Sequence, residues 1–89
     1  MLEVTELGIE TSERLWHQKS VKDDKEMAFL AAVSVIEEYA IMDAYDLAKH
    51  IPFIHGFEAK HRAVKEWIEK GLLEKSQRTR YDVYGFRPD

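Results

Sequence analysis

The chain of 89 residues contains no cysteine, so disulfide bonds and thiolate metal sites are excluded. Nothing argues for an oxidising compartment, and the sequence predicts a cytoplasmic protein. A long apolar run is also missing: the longest, residues 27–36 (MAFLAAVSVI), has about half of the ~20 residues that a helix needs to cross a bilayer. The first residues, MLEVTELGIE, have no basic region before an apolar segment, so we expect neither a signal peptide nor a membrane partner.

Residue patterns for catalysis and metal binding are missing as well. The sequence has no Gly-rich phosphate loop and no nucleophile with an identifiable base, and adjacent acids such as Asp23 and Asp24 diverge on a helix. The histidines lack the spacing of metal ligands. They are His17, His50, His55 and His61. We therefore expect a non-enzyme with no cofactor and no metal site.

Composition indicates one small globular domain, since 45% of the residues are hydrophobic and 34% are charged. The net charge of −4 hides an asymmetry between the two parts of the chain. Residues 1–48 carry 11 acidic and 4 basic side chains, whereas residues 49–89 carry 6 acidic and 9 basic. The second part therefore has a net charge of +3 and is expected to meet an anionic partner.

The first two clear elements are helices. Residues 25–39 contain strong helix formers without Gly or Pro, and Asp23 or Asp24 supplies a cap. A second helix starts after Asp43 and ends near His50, because the proline in the turn IPFIHG disfavours helical geometry before it.

A third helix and a hairpin complete the pattern. Residues 57–70 alternate apolar and polar faces at helical spacing, and Gly71 supplies a left-handed stop. Residues 72–76 and 80–86 then read as two strands around a turn at 77–79.

The remaining segments are less specific. Residues 1–24 fit either a short helix capped by Thr11 or Ser12 or an extended arm. Residues 40–42 form a link that is too short for a free strand but able to pair with one edge of a hairpin.

The order helix, short strand, helix, turn, helix and hairpin resembles the winged helix-turn-helix family, with the best matches in YDLAKH, WIEKGLLEK and SQRTRYDVY. The resemblance implies an α+β fold with a three-helix core, a C-terminal two-stranded β-hairpin wing and an extra N-terminal segment. We accordingly divide the chain into an N-terminal arm or short helix (1–24) and a winged-helix domain (25–89). The turn IPFIHG is about two residues longer than the compact turn of most members. The angle between the second and third helices is therefore expected to differ.

The resemblance also implies double-stranded DNA as the partner, with the third helix (57–70) in the major groove and the wing (74–84) on the backbone. A helix reads base edges with side chains from one stripe, and arginines and lysines at a wing tip suit phosphates. The predicted DNA-binding residues are Lys60, His61, Arg62, Lys65, Lys75, Arg78 and Arg80.

Two other interpretations compete with this one. The pairs Glu58 with Arg62 and Glu66 with Lys70 have the favourable i,i+4 order, which is typical of a plain solvated helix face. The fold also serves as a protein–protein interaction module, an alternative favoured by the overall acidity, by Glu58 and Glu69, and by two aromatic residues near the C-terminus. Those aromatic residues are Tyr84 and Phe86. The distinguishing feature is whether the basic residues of the third helix and the wing form one continuous patch.

Function and assembly follow from the DNA interpretation. We expect a small transcriptional regulator that acts as a homodimer, because symmetric pairs gain affinity through two half-sites. Helix 25–39 has more apolar surface than one small neighbour needs. Either the N-terminal segment packs over the extra side of this helix or a second copy of the chain does. The predicted dimer surface is this helix, the N-terminal segment around Trp16, or both.

Overall fold

The computed structural model describes residues 1–76 of the chain. This part contains four helices and one two-stranded antiparallel sheet, so its class is α+β. In chain order the elements are β1 (Leu2–Val4), α1 (Glu6–His17), α2 (Asp24–Glu38), α3 (Ala44–Ala48), α4 (Phe57–Glu69) and β2 (Leu73–Lys75). The predicted turn at 77–79 and strand at 80–86 lie outside the described residues.

Aspartate caps start α2 and α3, as the sequence predicts. The Asp23 carboxylate accepts from the Glu26 backbone N–H at 2.7 Å, and the Glu26 carboxylate accepts from the Asp23 N–H at 3.1 Å. Each side chain thus satisfies an amide that has no partner within the helix. The Asp43 carboxylate accepts from the Asp46 N–H at 2.8 Å and does the same for α3.

The end of α4 also follows the prediction. Gly71 has a φ of 78°, which is the left-handed conformation that glycine adopts without strain. The Gly71 N–H donates to the Ile68 carbonyl at 3.0 Å, and the Leu72 N–H donates to the Trp67 carbonyl at 2.9 Å. These bonds satisfy the last carbonyls of the helix and turn the chain into β2.

The N-terminal segment contains both a strand and a helix. The predicted cap at Thr11 or Ser12 is wrong, because α1 already begins at Glu6 with Thr5 as its N-cap. The Thr5 hydroxyl accepts from the Gly8 N–H at 3.0 Å and donates to the Gly71 carbonyl. One side chain therefore starts α1 and ties it to the end of α4.

Strand β1 forms backbone hydrogen bonds on both of its sides. It pairs with β2 in the register Leu2↔Lys75, Glu3↔Glu74 and Val4↔Leu73. On its other side the Leu2 N–H donates to the Ile41 carbonyl at 2.8 Å. The short link at 40–42, predicted to pair with one edge of the hairpin, thus bonds to the N-terminal strand through this backbone hydrogen bond.

One hydrophobic core joins all of these elements. At its centre the ring of Phe29 from α2 meets the ring of Trp67 from α4 edge to face, with 5.3 Å between centroids. Leu2 from β1 and Leu15 from α1 are buried in the same core. The N-terminal segment therefore contributes to the core that holds α4 in place.

No helix among residues 1–76 combines the length and the apolar character needed to cross a bilayer; α2, with 15 residues, is the longest.

Candidate nucleic-acid interface

Helix α4 is held against α3 and α2 by one buried face. Val64, Ala63 and Trp67 are buried on this face, and Leu47 and Ala48 of α3 are buried opposite. The two helices α3 and α4 therefore pack on each other through buried side chains. The opposite face of α4 is left for solvent or a partner.

The outward face of α4 carries charges of both signs. Glu58, Arg62, Lys65 and Glu69 are all exposed on it. The two cations occupy the middle of the helix, and the two acids lie about one turn beyond them on either side. The central turn of this face is therefore positive.

Only one of the two expected i,i+4 pairs forms. Glu66 binds Lys70 at 3.0 Å, as the spacing predicts. Glu58 and Arg62 form no ion pair within residues 1–76. The Arg62 guanidinium is exposed and remains available for an external acceptor.

Glu66 is turned toward α2 instead of the outward face. It also pairs with Lys25, so it links the start of α2 to α4. Hydrogen bonds from Lys25 and then Lys70 lower the pKa of Glu66 below its ordinary value. The negative charge of this acid is therefore balanced by the two lysines, Lys25 and Lys70.

His61 belongs to an aromatic cluster between α3 and α4. The Phe57 ring stacks on the His61 ring at 5.9 Å, and the Tyr45 ring lies 4.7 Å from Phe57 and 6.2 Å from His61. The Lys49 ammonium lies 4.8 Å from the centre of the Tyr45 ring. A further cation, Lys49 at the end of α3, therefore lies beside the rings through which α3 packs on α4.

Two other predicted residues lie apart from this face. Lys60 is half-buried, and at about 100° per residue it is about 140 to 160° around the helix from Lys65 and Arg62. Lys75 is exposed on β2, next to the part of the chain predicted to be the wing. Arg78 and Arg80 lie outside the described residues, so their continuity with α4 stays a prediction.

Tyr45 and Lys49 are the residues that the sequence interpretation missed. Both lie in or just after α3, which the sequence shows as a helix ending near His50. The sequence did indicate that these two residues are neighbours, because their i,i+4 spacing places Lys49 one turn after Tyr45 on the same side of the helix. Only packing of α3 on α4 shows that this side meets Phe57 and His61.

The described histidines and acids do not gather into a metal site. No group of three or more potential ligands occurs in residues 1–76. His50 has one acidic neighbour, Asp46, at 4.0 Å.

Comparison of the chain with protein-family models, with curated protein sequences and with solved structures finds no match. The assignment of a function therefore rests on the residues and on the geometry of α3 and α4.

Proposed function

We propose that the chain is a double-stranded DNA-binding protein of the winged helix-turn-helix type and a small transcriptional regulator without catalytic activity. In this proposal α4 enters the major groove and the segment at 74–84 lies on the backbone. The supporting observation is the pair of exposed cations, Arg62 and Lys65, at the centre of the outward face of α4. Neither forms an ion pair within residues 1–76.

The geometry of α4 suits this role. Its 13 residues leave a full face open, while the opposite face is buried against α3 and α2. An α-helix fits the major groove, and an arginine there binds a guanine edge through two hydrogen bonds. Lys65 and Lys49 suit phosphates, which attract cations without sequence preference.

Glu58 is compatible with base contact at the start of α4. A glutamate in the major groove accepts from the amino group of cytosine, and the first residues of a recognition helix contact base edges. We therefore expect Glu58 to affect which sequence is bound more than how tightly DNA in general is bound.

The test is fluorescence anisotropy of a labelled mixed-sequence duplex, titrated at several salt concentrations. We expect Arg62→Ala/Lys65→Ala to weaken binding and to lower the salt slope by about one to two. Arg78→Ala/Arg80→Ala tests the predicted wing in the same way. Arg14→Ala/Lys19→Ala is the matched control, because it removes one arginine and one lysine that are exposed at α1 and just after it.

Two results would contradict the proposal. One is the absence of binding at ~50 mM salt, where nonspecific attraction to DNA is strong. The other is an equal loss of binding in the Arg14→Ala/Lys19→Ala control, which would reduce the effect to net charge.

A protein–protein interaction module is the second candidate, and a specific observation favours it. Tyr45 is 53% exposed and Phe57 is 39% exposed on the surface that also presents Glu58 and Glu69. Aromatic residues are enriched in protein interfaces. If duplex DNA does not bind, a basic protein partner at this surface becomes the better explanation, and Tyr45→Ala should then reduce its binding.

A further inference from the structure

The aromatic cluster of Tyr45, Phe57 and His61 lies at the surface of the chain. Its ring centroids are 4.7 to 6.2 Å apart. Tyr45 is 53% exposed and Phe57 is 39% exposed, so part of each ring is open to solvent. Single exposed apolar residues are ordinary on a protein surface, whereas a contiguous group of them marks a contact surface.

The aromatic cluster also holds polar groups that have no protein partner. Neither the Tyr45 hydroxyl nor the His61 imidazole forms a hydrogen bond within residues 1–76. The Lys49 ammonium lies 4.8 Å from the centre of the Tyr45 ring and forms no ion pair with a described residue. Open rings, hydrogen-bonding atoms and a cation are therefore found at one place.

A second cation follows the aromatic cluster along α4. Phe57, His61 and Lys65 are each four residues apart, so each lies one turn beyond the previous one on the same side of the helix. Lys65 is exposed, and it has no ion pair in the part of the chain that the structure describes. One cation therefore lies at the Tyr45 ring and another lies one turn beyond the His61 ring.

We propose that the aromatic cluster binds single-stranded nucleic acid, with an unpaired base stacked on Tyr45 and Phe57 and neighbouring phosphates bound by Lys49 and Lys65. Proteins that hold single strands combine aromatic side chains, on which the bases stack, with cations that follow the backbone. Stacking requires no particular base, because every base has a π-face. The inference does not depend on duplex binding, since the bases of a duplex are already paired and stacked on each other.

Stacking is expected to contribute more to the affinity than overall charge. Residues 43–49 and 57–70 carry five acidic and five basic side chains, so the helices that hold the rings are close to neutral. The cations beside the rings therefore position a strand without attracting it strongly from a distance. We expect a dissociation constant in the high micromolar range, as one or two stacked bases provide.

Fluorescence anisotropy with labelled oligonucleotides at ~50 mM salt, where phosphate contacts are strong, tests the inference. The probes are oligo-dT of ~12 nucleotides, a usual site size, and a strand of the same length in which every base is replaced by an abasic site. Both probes carry the same phosphates, so the difference in affinity between them measures stacking. We expect oligo-dT to bind at least about tenfold tighter than the abasic strand. Oligo-rU of the same length shows whether RNA or DNA is preferred.

Substitutions separate the contribution of the rings from that of the cations. Phe57→Leu keeps an apolar side chain without a ring, so the affinity for oligo-dT should fall at least about fivefold while that for the abasic strand stays the same. Phe57→Tyr keeps a ring and should bind both strands like the wild type. Lys49→Ala should weaken both strands equally and lower the salt slope by about 0.7, the value for one phosphate of a single strand. Trp16→Leu is the matched control, because Trp16 is 70% exposed at the end of α1 and lies outside the aromatic cluster.

Three results would overturn the inference. If no oligonucleotide binds, the surface is left to a protein partner. Equal affinity for oligo-dT and the abasic strand would show that no base stacks on the chain. An equal loss of oligo-dT binding in Phe57→Leu and Trp16→Leu would place the site elsewhere.

The duplex probe separates this inference from the proposed function. Phe57→Leu should leave the affinity for duplex DNA unchanged, because paired bases do not reach the ring. A chain that binds oligo-dT in preference to the abasic strand but does not bind the duplex keeps this site and loses the proposed function. A chain that binds the duplex without distinguishing the two single strands keeps the proposed function and loses this site.

Discussion

Gly8 in α1 lies directly against the backbone of Leu72: a β-carbon added at Gly8 would be 2.2 Å from the Leu72 carbonyl oxygen. It would also be 2.7 Å from Cγ1 of Val4. The absence of a side chain at this position allows α1 to pack beside the sheet formed by β1 and β2.

We expect Gly8→Ala to destabilise the fold. In an unconstrained helix the change would stabilise by about 0.5–1 kcal/mol, because alanine favours the helix. Here the backbone of Leu72 would have to move, and overpacking of this kind costs about 1–3 kcal/mol. Urea denaturation followed by circular dichroism measures the sign directly. Glu13→Ala, at an exposed position of the same helix, is the control and should change stability by less than ~0.5 kcal/mol. A Gly8→Ala variant as stable as this control would show that α1 does not pack so closely.

The hydroxyl of Thr5 forms two hydrogen bonds, and a substitution that keeps the volume of the side chain can remove both. Its hydroxyl accepts from the Gly8 N–H at 3.0 Å and donates to the Gly71 carbonyl. Thr5→Val keeps the volume and removes both bonds, so we expect a loss of about 1–2 kcal/mol, as for other N-cap deletions. Thr5→Ser keeps the hydroxyl and should lose much less. Equal urea midpoints for the two variants would contradict the role of the hydroxyl.

The helices of this chain were predictable because their signals are local. Asp23 with Glu26, Asp43 and Gly71 each act within a few residues of where they stand, and the structure places them as caps and stop. The start of α1 was missed although its cap is equally local, since the Thr5 hydroxyl accepts from the Gly8 N–H three residues further on. The other hydrogen bond of this hydroxyl, to the Gly71 carbonyl, joins residues distant in sequence. Sequence spacing carries no information about such a contact.

The candidate site was predictable to a smaller extent. Helical periodicity places Arg62 and Lys65 on one exposed face. It does not show that Glu66 turns toward Lys25 of α2, which depends on how the two helices pack. The same holds for Tyr45, the ring beside Lys49, which meets Phe57 and His61 only because α3 packs on α4.

The ion pairs of Glu66 make the stability of the fold depend on pH. Its pairs with Lys25 and Lys70 lower its pKa in the folded chain below the ordinary value of 4.5. The carboxylate therefore stabilises the fold at neutral pH, and this contribution is lost as the pH falls from about 4.5 through the lowered pKa. We expect Glu66→Gln to lower the urea midpoint at pH 7 and to have little effect at a pH below the lowered pKa.

Glu69→Gln is the control for Glu66. Glu69 is exposed on the same helix and forms no ion pair within residues 1–76, so the urea midpoint should not change at either pH. If the two variants have the same pH dependence, the pairs with Lys25 and Lys70 do not stabilise the fold in solution.

Substitutions of Lys49 and Tyr45 test whether the end of α3 takes part in the proposed DNA binding. The Tyr45 ring lies 4.8 Å from the Lys49 ammonium and holds it beside α4. We expect Lys49→Ala to lower the salt slope of duplex binding by about one, because one phosphate contact is lost. Tyr45→Ala should act in the same direction, since it removes the ring that positions the ammonium, whereas Tyr45→Phe keeps the ring and should bind like the wild type. Anisotropy at ~50 to ~200 mM salt measures all three variants. A slope unchanged by Lys49→Ala would confine the DNA contact to α4 and the segment that follows it.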